Sequence, residues 1–142
     1  AAKILESDDA NKIFFPSDFS CMTENGVANV ELSRISSNDS IYDLGTTSID
    51  EIKNIVRKSI SVFWNGPLGY VERKPFNKGT EELAKAIADH NCFSIVGGGD
   101  TLPIIENLKL QNGYNCLSTG GGSLLTYLEG GSLPIIDKLN LR

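Results

Sequence analysis

The sequence predicts a layered α/β fold with a largely parallel sheet. In the second half of the chain, short apolar runs alternate with amphipathic helical patterns, which is the order that βαβ units produce. Three glycine-containing motifs follow apolar runs: WNGPLG at residues 64–69, GGGDT at residues 97–101 and STGGGS at residues 118–123. A glycine turn between a strand and a helix can present main-chain N–H groups to a phosphate, so the pattern also indicates an anion site.

The composition is that of one globular domain with enough chain to bury a core. The chain has 142 residues, of which 40% are hydrophobic and 22% are charged, and its formal net charge is −5. An acidic chain has no general affinity for nucleic acid or an anionic membrane, so we expect neither as a partner. No signal peptide and no apolar run of membrane-spanning length is evident, and we therefore expect a cytoplasmic protein.

Three cysteines, Cys21, Cys92 and Cys116, show neither a CxxC pair nor a metal-ligand spacing. An odd number of cysteines in a chain of this size is typical of free thiols in a reducing compartment. Cys92 and Cys116 stand next to apolar strand residues, and we expect both side chains to be buried.

The predicted elements of the first half are short. Residues 1–9 have the pattern of a helix end, and residues 12–15 (KIFF) predict a buried strand that Pro16 stops. The further predictions are a turn at residues 16–19, a loop at 21–26, a half-exposed strand at 27–35, a polar turn at 36–40 and a short strand at 41–45. Asp18 and Asp43 follow apolar runs, and a role in a turn is favoured for each over a role in a site.

Two amphipathic helices are predicted in the middle of the chain. The first begins at Thr47 or Ser48, either of which can cap it. Its apolar positions are Ile49, Ile52, Ile55 and Val56. The second follows Thr80, and its apolar positions are Leu83, Ala84, Ile87 and Ala88. Strands are predicted at residues 60–64, 93–96 and 115–118, and further helices at 101–108 and 123–128.

The GGGDT motif places three positions without side chains directly after a strand. Glycine permits positive φ and a close approach of the main chain to a ligand. Asp100 then stands at a helix start, where it could be an Mg²⁺ ligand, because Mg²⁺ usually takes one or two carboxylates together with phosphate oxygens. The alternative is that Asp100 or Thr101 simply caps the helix.

The STGGGS motif could surround an anion with hydroxyl and main-chain N–H groups, and the helix from Ser123 would add positive potential. The alternative is a flexible turn, although three glycines at a helix entrance lose much conformational entropy on folding. Neither triplet completes GxGxxG, because Leu102 and Leu125 occupy the third glycine position. Dinucleotide binding in its usual form is therefore not predicted.

The WNGPLG motif adds an amide and flat apolar side chains. Asn65 follows a strand and could bond either a phosphate or the main chain. Pro67, Leu68 and Tyr70 could line a slot for a base, and Glu72 could accept hydrogen bonds from ribose hydroxyl groups. The alternative is a packed turn with a solvated glutamate.

Taken together, these motifs resemble the C-terminal part of phosphoglycerate kinase. The ordered set also includes DLG at residues 43–45, FNKGT at residues 76–80 and LEGGSLP at residues 128–134. The resemblance covers most of the chain and is weak in residues 1–40, where only FPSDF at residues 15–19 is similar. It implies a Rossmann-like fold with three α/β/α layers and a mostly parallel sheet.

The resemblance also implies an activity and roles for residues. The family transfers a phosphoryl group between 1,3-bisphosphoglycerate and ADP, giving 3-phosphoglycerate and ATP, with Mg²⁺. The positions that match its nucleotide-binding residues are Asn65, Pro67, Tyr70, Glu72, Gly98, Gly99, Asp100 and Thr101, with Asp100 also at the metal. The positions that match its catalytic turn, at the transferring phosphoryl group, are Gly120, Gly121 and Gly122.

Thr46, Thr47 and Ser48 depart from the family pattern, which has a proline and a lysine after DxG; Ser123 stands where alanine is common. We expect residues 1–142 to be the C-terminal portion of the nucleotide-binding domain, without the N-terminal domain that binds the phosphoglycerate and without the start of this domain. On that expectation the chain binds ADP or ATP but is inactive alone, and the full-length protein is a monomer. The alternative is a non-catalytic nucleotide- or phosphate-binding module.

Overall fold

The computed structural model describes residue 6 and residues 10–139. In this range the chain forms two three-stranded sheets, an antiparallel one and a parallel one that is flanked by helices. The predicted α/β class is therefore confirmed. The helix end predicted for residues 1–9 lies outside the described residues, except for Glu6, which is in a turn.

The first half of the chain forms the antiparallel sheet. Its strands are β1 (Asp18–Thr23), β2 (Gly26–Glu31) and β3 (Ser40–Leu44), in the order β2-β1-β3. Gly26, in the tight turn between β1 and β2, has a φ of 101°, a conformation that favours glycine. The strands predicted at residues 27–35 and 41–45 are confirmed as β2 and β3, although β2 is shorter and gives way to a 3₁₀ turn at Leu32–Arg34.

Three predictions for this part of the chain are wrong. Residues 12–15 do not form a buried strand, since a 3₁₀ turn occupies Ala10–Lys12 and Phe15 is 59% exposed. The turn predicted at residues 16–19 and the loop predicted at 21–26 instead contain β1. Because half of the residues of β1 are polar and the strand pairs on both sides, main-chain hydrogen bonds to β2 and β3 set its structure, and no regular apolar pattern signals it.

The second half of the chain forms the parallel sheet and its helices. The strands are β4 (Ser61–Asn65), β5 (Phe93–Gly97) and β6 (Cys116–Ser118), in the order β4-β5-β6. The helices are α1 (Thr46–Lys58), α2 (Lys78–Asp89), α3 (Leu102–Asn107), α4 (Gly122–Leu128) and α5 (Pro134–Lys138). All but α5 lie where the sequence predicts them, with ends that differ by a few residues. No helix in the described ranges is long and apolar enough to cross a membrane.

One side of the parallel sheet carries the core. Its buried residues are Val56, Trp64, Leu83, Ala84, Ile87, Val96 and Ile105. The predicted apolar faces of α1 and α2 thus contribute to one cluster with β4, β5 and α3. Ile55 does not follow the prediction for α1 and is 49% exposed, because the buried stripe runs through Ile49, Ile52 and Val56.

The other side of the parallel sheet is largely uncovered in the described part of the chain. Phe63 and Phe93 are 44% and 56% exposed. Cys116 is exposed and Cys92 is partly buried, so the prediction of two buried thiols is wrong for Cys116. Successive strand residues point to opposite sides of a sheet, and an apolar neighbour therefore does not determine the burial of a cysteine.

Asp18 joins the antiparallel sheet to α1. Its carboxylate, 2% exposed, accepts hydrogen bonds from the Thr47 and Ser48 main-chain N–H groups at 3.0 and 2.8 Å, and from Ser48 Oγ at 2.6 Å. Burial opposes ionisation, but these bonds and one from Asn29 hold the pKa of the Asp18 carboxyl well below its usual range. Thr47 and Ser48 therefore do not cap the helix as predicted; Asp18 satisfies its first N–H groups from β1.

Candidate functional site

The parallel register brings the three predicted motifs to one edge of the sheet. Asn65 at the end of β4 pairs with Gly97 at the end of β5, and Gly97 pairs with Ser118 at the end of β6. The carboxyl ends of parallel strands are where ligands bind in open α/β sheets. The turns that follow these strands are therefore neighbours, as the order of strands and glycines predicts.

The first two turns touch through their glycines. Gly66 and Gly98 have φ values of 94° and 107°, which side chains rarely allow. A Cβ atom at Gly98 would lie 3.1 Å from the Gly66 nitrogen and 3.2 Å from Thr101 Oγ1. Glycine is thus required at position 98 both by its backbone conformation and by its close approach to the β4 turn.

Thr101 lies beneath the GGGDT turn with its hydroxyl unpaired. The residue is fully buried, and its Oγ1 atom has no hydrogen-bond partner among the described residues. Its side chain does not cap α3, so the predicted alternative of a Thr101 cap is wrong. A buried hydroxyl without a partner is uncommon in folded proteins, and here it lies next to a turn whose outer part is open.

Asp100 is exposed on the outer part of the same turn, and it makes no hydrogen bond or ion pair with any described residue. The predicted alternative, in which the Asp100 side chain caps α3, is therefore wrong. Gly99 beside it is exposed, and a Cβ atom there would meet nothing within 4 Å.

The described residues contain no group of three or more His, Cys, Asp and Glu side chains that could hold a metal ion. A cation here would thus take most ligands from a bound phosphate and from water.

The STGGGS turn is held by Ser118 at its base and is open at its tip. The Gly120 N–H donates to Ser118 Oγ at 3.1 Å. Gly121 has a φ of 47°, and a Cβ atom at Gly121 or Gly122 would meet nothing within 4 Å. Since α3 and α4 have only six and seven residues, helix dipoles add little here, and the open main chain of the turn is what can contact an anion.

Gly97, at the end of β5, contacts both Asn65 of the WNGPLG motif and Leu124 of α4. A Cβ atom at Gly97 would be 3.0 Å from Asn65 Oδ1 and 3.2 Å from Leu124 Cδ2. The Asn65 amide and the Leu124 side chain of α4 therefore both lie against the start of the GGGDT turn, at the place where a side chain of residue 97 would be. Beside the STGGGS turn is a groove of about 260 Å³, lined by Ser118, Gly120, Ser123, Leu124, Tyr127, Leu133 and Ile136.

The segment from β4 to α2, residues 66–77, is here called the β4–α2 loop. Trp64 Nε1 donates to the Gly66 carbonyl at 2.6 Å, and the Leu68 N–H donates to Thr80 Oγ1 at 3.0 Å. Further along, the Tyr70 N–H donates to the Tyr42 carbonyl of β3 at 2.7 Å. The loop is thus attached to both sheets and to α2.

The side chains predicted to contact a nucleotide have different surroundings in this loop. Leu68 is partly buried and packs against the core. Tyr70 is 46% exposed, with its ring centroid 5.7 Å from that of Tyr42. Pro67 is partly buried and Glu72 is exposed. Tyr70, Pro67 and Glu72 are thus accessible to a ligand, and Leu68 joins this part of the loop to the core.

Two residues hold the loop in a role that sequence reasoning did not assign to them. Asp43, for which a turn role is favoured above, is 3% exposed and accepts a hydrogen bond from the Gly79 N–H at 2.8 Å. Thr80, also fully buried, accepts from the Leu68 and Gly69 N–H groups. Both side chains accept hydrogen bonds from main-chain groups that are distant in sequence. The signal in the sequence that could have identified them was their position within the DLG and FNKGT motifs.

The motifs match a known family. The family model for phosphoglycerate kinase matches residues 1–131. Among curated relatives, a phosphoglycerate kinase of Buchnera aphidicola subsp. Baizongia pistaciae is 46% identical over 142 residues, covering 97% of this chain and 36% of the relative. That of Buchnera aphidicola subsp. Schizaphis graminum is 47% identical over 107 residues, covering 75% of this chain and 28% of the relative.

Solved structures give the same result. Phosphoglycerate kinase from Coxiella burnetii is similar with a TM-score of 0.82 and 34% identity, over 94% of this chain and 36% of that one. Phosphoglycerate kinase from Pyrococcus horikoshii OT3 is similar with a TM-score of 0.85 and 31% identity, over 97% of this chain and 35% of that one. The chain therefore spans about a third of the length of the proteins it matches.

Proposed function

We propose, from the premise that the chain belongs to the phosphoglycerate kinase family, that it supplies part of the nucleotide site of a glycolytic kinase. The reaction transfers a phosphoryl group between 1,3-bisphosphoglycerate and ADP and gives 3-phosphoglycerate and ATP. The observation that carries the proposal is the alignment of Asn65, Gly97 and Ser118 at one sheet edge. It makes the three motifs neighbours in a single site.

The proposed nucleotide contacts divide along that edge. The β4–α2 loop would receive the base and ribose, with Pro67 and Tyr70 against the base and Glu72 at the ribose hydroxyls. The proposed phosphate contacts are Asn65, Gly98, Gly99, Asp100 and Thr101. The open STGGGS turn, with Gly120, Gly121 and Gly122, would face the phosphoryl group in transfer. Its accessible main chain and the absence of any Cβ atom support this role.

Phosphoryl transfer depends on positioning and charge stabilisation, and these residues offer both. Main-chain N–H groups in the glycine turns are fixed dipoles that can meet developing negative charge without reorganising. The unpaired hydroxyl of Thr101 supports a role as a donor that acquires its acceptor when phosphate binds.

Mg²⁺ fits the proposed site through Asp100. The exposed carboxylate has no described partner that would compete for it. With a single protein carboxylate, the remaining ligands would be phosphate oxygens and water, which is the usual arrangement for Mg²⁺. When bound, the ion would neutralise charge on the phosphates; Asp100 would hold it at the GGGDT turn.

The acceptor, 3-phosphoglycerate or 1,3-bisphosphoglycerate, is proposed to bind residues outside the third of the family's length that this chain spans. The net charge of −5 gives the chain no general attraction for this anionic substrate. We expect no turnover by the 142-residue chain alone in a coupled assay, and measurable turnover would contradict this part. The proposal further takes the whole enzyme to be a cytoplasmic monomer that binds neither nucleic acid nor membranes.

The test of the proposed site is calorimetric titration of the 142-residue chain with ADP, with and without Mg²⁺. We expect Asp100→Ala to weaken the binding of MgADP while leaving ADP in excess EDTA unchanged, because the carboxylate acts through the metal. Glu106→Ala removes another exposed carboxylate of the same segment and is the matched control. Equal MgADP affinity of Asp100→Ala and Glu106→Ala would refute the metal role, and no binding by the wild-type chain would refute the site.

A further inference from the structure

We propose that Asp43 is a positioning residue for the β4–α2 loop, and that this buried carboxylate sets the geometry with which the loop meets a nucleotide. The inference rests on the proposed function in so far as the loop binds the base and ribose. Asp43 lies at the end of β3, in the antiparallel sheet, and is 3% exposed. It cannot contact a ligand from solvent, and its effect must pass through the loop.

Both carboxylate oxygens of Asp43 are used by main-chain donors. The Gly79 N–H, in the first turn of α2, donates to Oδ2 at 2.8 Å, and the Leu44 N–H donates to Oδ1 at 2.8 Å. Burial raises the pKa of the Asp43 carboxyl above its usual range, and the hydrogen bonds from Gly79 and Leu44 act in the opposite direction. The carboxylate thereby fixes the start of α2, where the loop ends, against β3.

The carboxylate also fills the space left by two glycines, Gly69 within the loop and Gly79 in the first turn of α2. A Cβ atom at Gly69 would overlap the Asp43 carboxyl group and the Phe76 carbonyl oxygen. A Cβ atom at Gly79 would overlap Asp43 Oδ1. Asp43 is thus packed directly against the main chain just before Tyr70 and again just after the loop, and a change in its shape or hydrogen bonding must move one of them.

Contacts made by residues next to Asp43 also hold the part of the loop that carries the exposed side chains. The Tyr70 N–H donates to the Tyr42 carbonyl, one residue before Asp43, and the Tyr42 ring lies 4.8 Å from that of Phe76 between centroids. The Arg73 guanidinium is 5.8 Å from the Tyr42 ring centroid. The segment that carries Tyr70 and Glu72 is therefore attached to β3 through residues 42 and 43.

Asp43→Asn is a sharp test because it preserves shape and changes only the charge and the hydrogen bonding of the group. Both oxygens accept from an N–H group, so an amide in either orientation must place its NH₂ group against a donor. We expect MgADP to bind this variant roughly tenfold more weakly at a temperature where the variant is folded, which corresponds to about 1.4 kcal/mol. We also expect faster hydrogen exchange at the Gly69 and Tyr70 amides.

Asp18→Asn is the matched control. Asp18 is equally buried at 2% exposure and is also held by main-chain N–H groups, but it lies against α1 and does not touch the loop. We expect this variant to lower the melting temperature while the affinity for MgADP and the exchange of Gly69 and Tyr70 remain at wild-type values. A merely structural role for Asp43 would make both variants behave alike.

The outcomes separate this inference from the proposed function. No MgADP binding by the wild-type chain would refute the proposed function, and hydrogen exchange in Asp43→Asn would then decide whether Asp43 positions the loop. Wild-type exchange and affinity in a folded Asp43→Asn variant would overturn the inference. If that variant does not fold, Gly79→Ala, whose Cβ atom would overlap Asp43 Oδ1 and displace the carboxylate, must show the same loosened loop, and wild-type exchange and affinity there would overturn the inference.

Discussion

Asn65 and Gly97 end neighbouring parallel strands in register, and Asn65 Oδ1 lies 3.0 Å from where a Cβ atom of Gly97 would be. The amide of one motif thus contacts the main chain of the next, and a Cβ atom at position 97 would require the amide to move by a few tenths of an ångström. The candidate site is therefore defined by main-chain surfaces as much as by side chains, and substitutions at its glycines and at its buried hydroxyl are the most direct tests.

Gly98→Ala is expected to destabilise the fold by about 1–2 kcal/mol, because alanine is strained at positive φ. Gly98 has a φ of 107°, and the added Cβ atom would lie 3.1 Å from the Gly66 nitrogen. Gly99→Ala is the control, since a Cβ atom there meets nothing within 4 Å. Urea denaturation of the two variants measures the difference, and equal midpoints would contradict the close approach of the two turns.

Thr101→Val is expected to change stability and nucleotide binding in opposite directions. Removing a buried hydroxyl that has no described partner should stabilise the fold by about 1 kcal/mol. The same change should weaken MgADP binding, because the phosphate loses a donor. Thr101→Ser keeps the hydroxyl and should retain affinity. Thermal denaturation and calorimetry report the two effects, and unchanged affinity in the valine variant would remove Thr101 from the phosphate site.

Glu82 should contribute to stability in a pH-dependent way. Hydrogen bonds from Lys53 at 2.8 Å and Lys85 at 2.9 Å lower the pKa of Glu82 from its ordinary value of 4.5 to about 2. A lowered carboxyl pKa stabilises the fold above about pH 4.5, and this stabilisation is lost as the pH falls toward 2. For a partly exposed pair we expect about 1 kcal/mol.

The measurement is the unfolding free energy of the wild-type chain and of Glu82→Gln between neutral pH and pH 3. The difference between the two proteins should shrink as the pH falls, because the wild-type carboxylate becomes protonated. Glu51→Gln, at an exposed position of α1, should show no such convergence. A difference that is constant with pH would show that the two lysines do not stabilise the Glu82 carboxylate.

Phe63→Lys is expected to reduce self-association of the 142-residue chain. Phe63 is 44% exposed on the uncovered side of the parallel sheet, and it belongs to β4, the outer strand of that sheet. Exposed apolar strands at a sheet edge promote association between chains, and a lysine opposes it. Sedimentation velocity over a range of concentrations measures the effect. Ile55→Lys, on α1, makes the same charge change and should leave association unaltered.

The parallel half of the fold could be predicted, apart from α5, because its other elements are signalled locally. β4, β5 and β6 are short apolar runs followed by glycine, and the apolar spacing of α1 and α2 matches their buried faces. Parallel pairing then brings the strand ends together, which is why Asn65, Gly97 and Ser118 could be placed near one another from sequence alone.

The antiparallel half could not be predicted in the same way. The sequence of β1, DFSCMT, has no regular apolar alternation, and its structure depends on pairing with β2 and β3 on either side. Asp43 was missed as a positioning residue for a related reason, since its partner Gly79 is 36 residues away. Local patterns report burial and turns, whereas hydrogen bonds to remote main-chain groups leave little trace in a single sequence.

The attachment of the β4–α2 loop to β3 has a consequence for partial unfolding. The two ends of the candidate site belong to different sheets: the glycine turns follow strands of the parallel sheet, whereas the Tyr70 main chain is bonded to Tyr42 of the antiparallel one. If the antiparallel sheet unfolds as a cooperative unit at denaturant concentrations below the global unfolding transition, the site would lose its contacts with adenosine before its contacts with phosphate. Under mild denaturant there would then be a range in which the chain still binds pyrophosphate but no longer distinguishes one nucleotide from another.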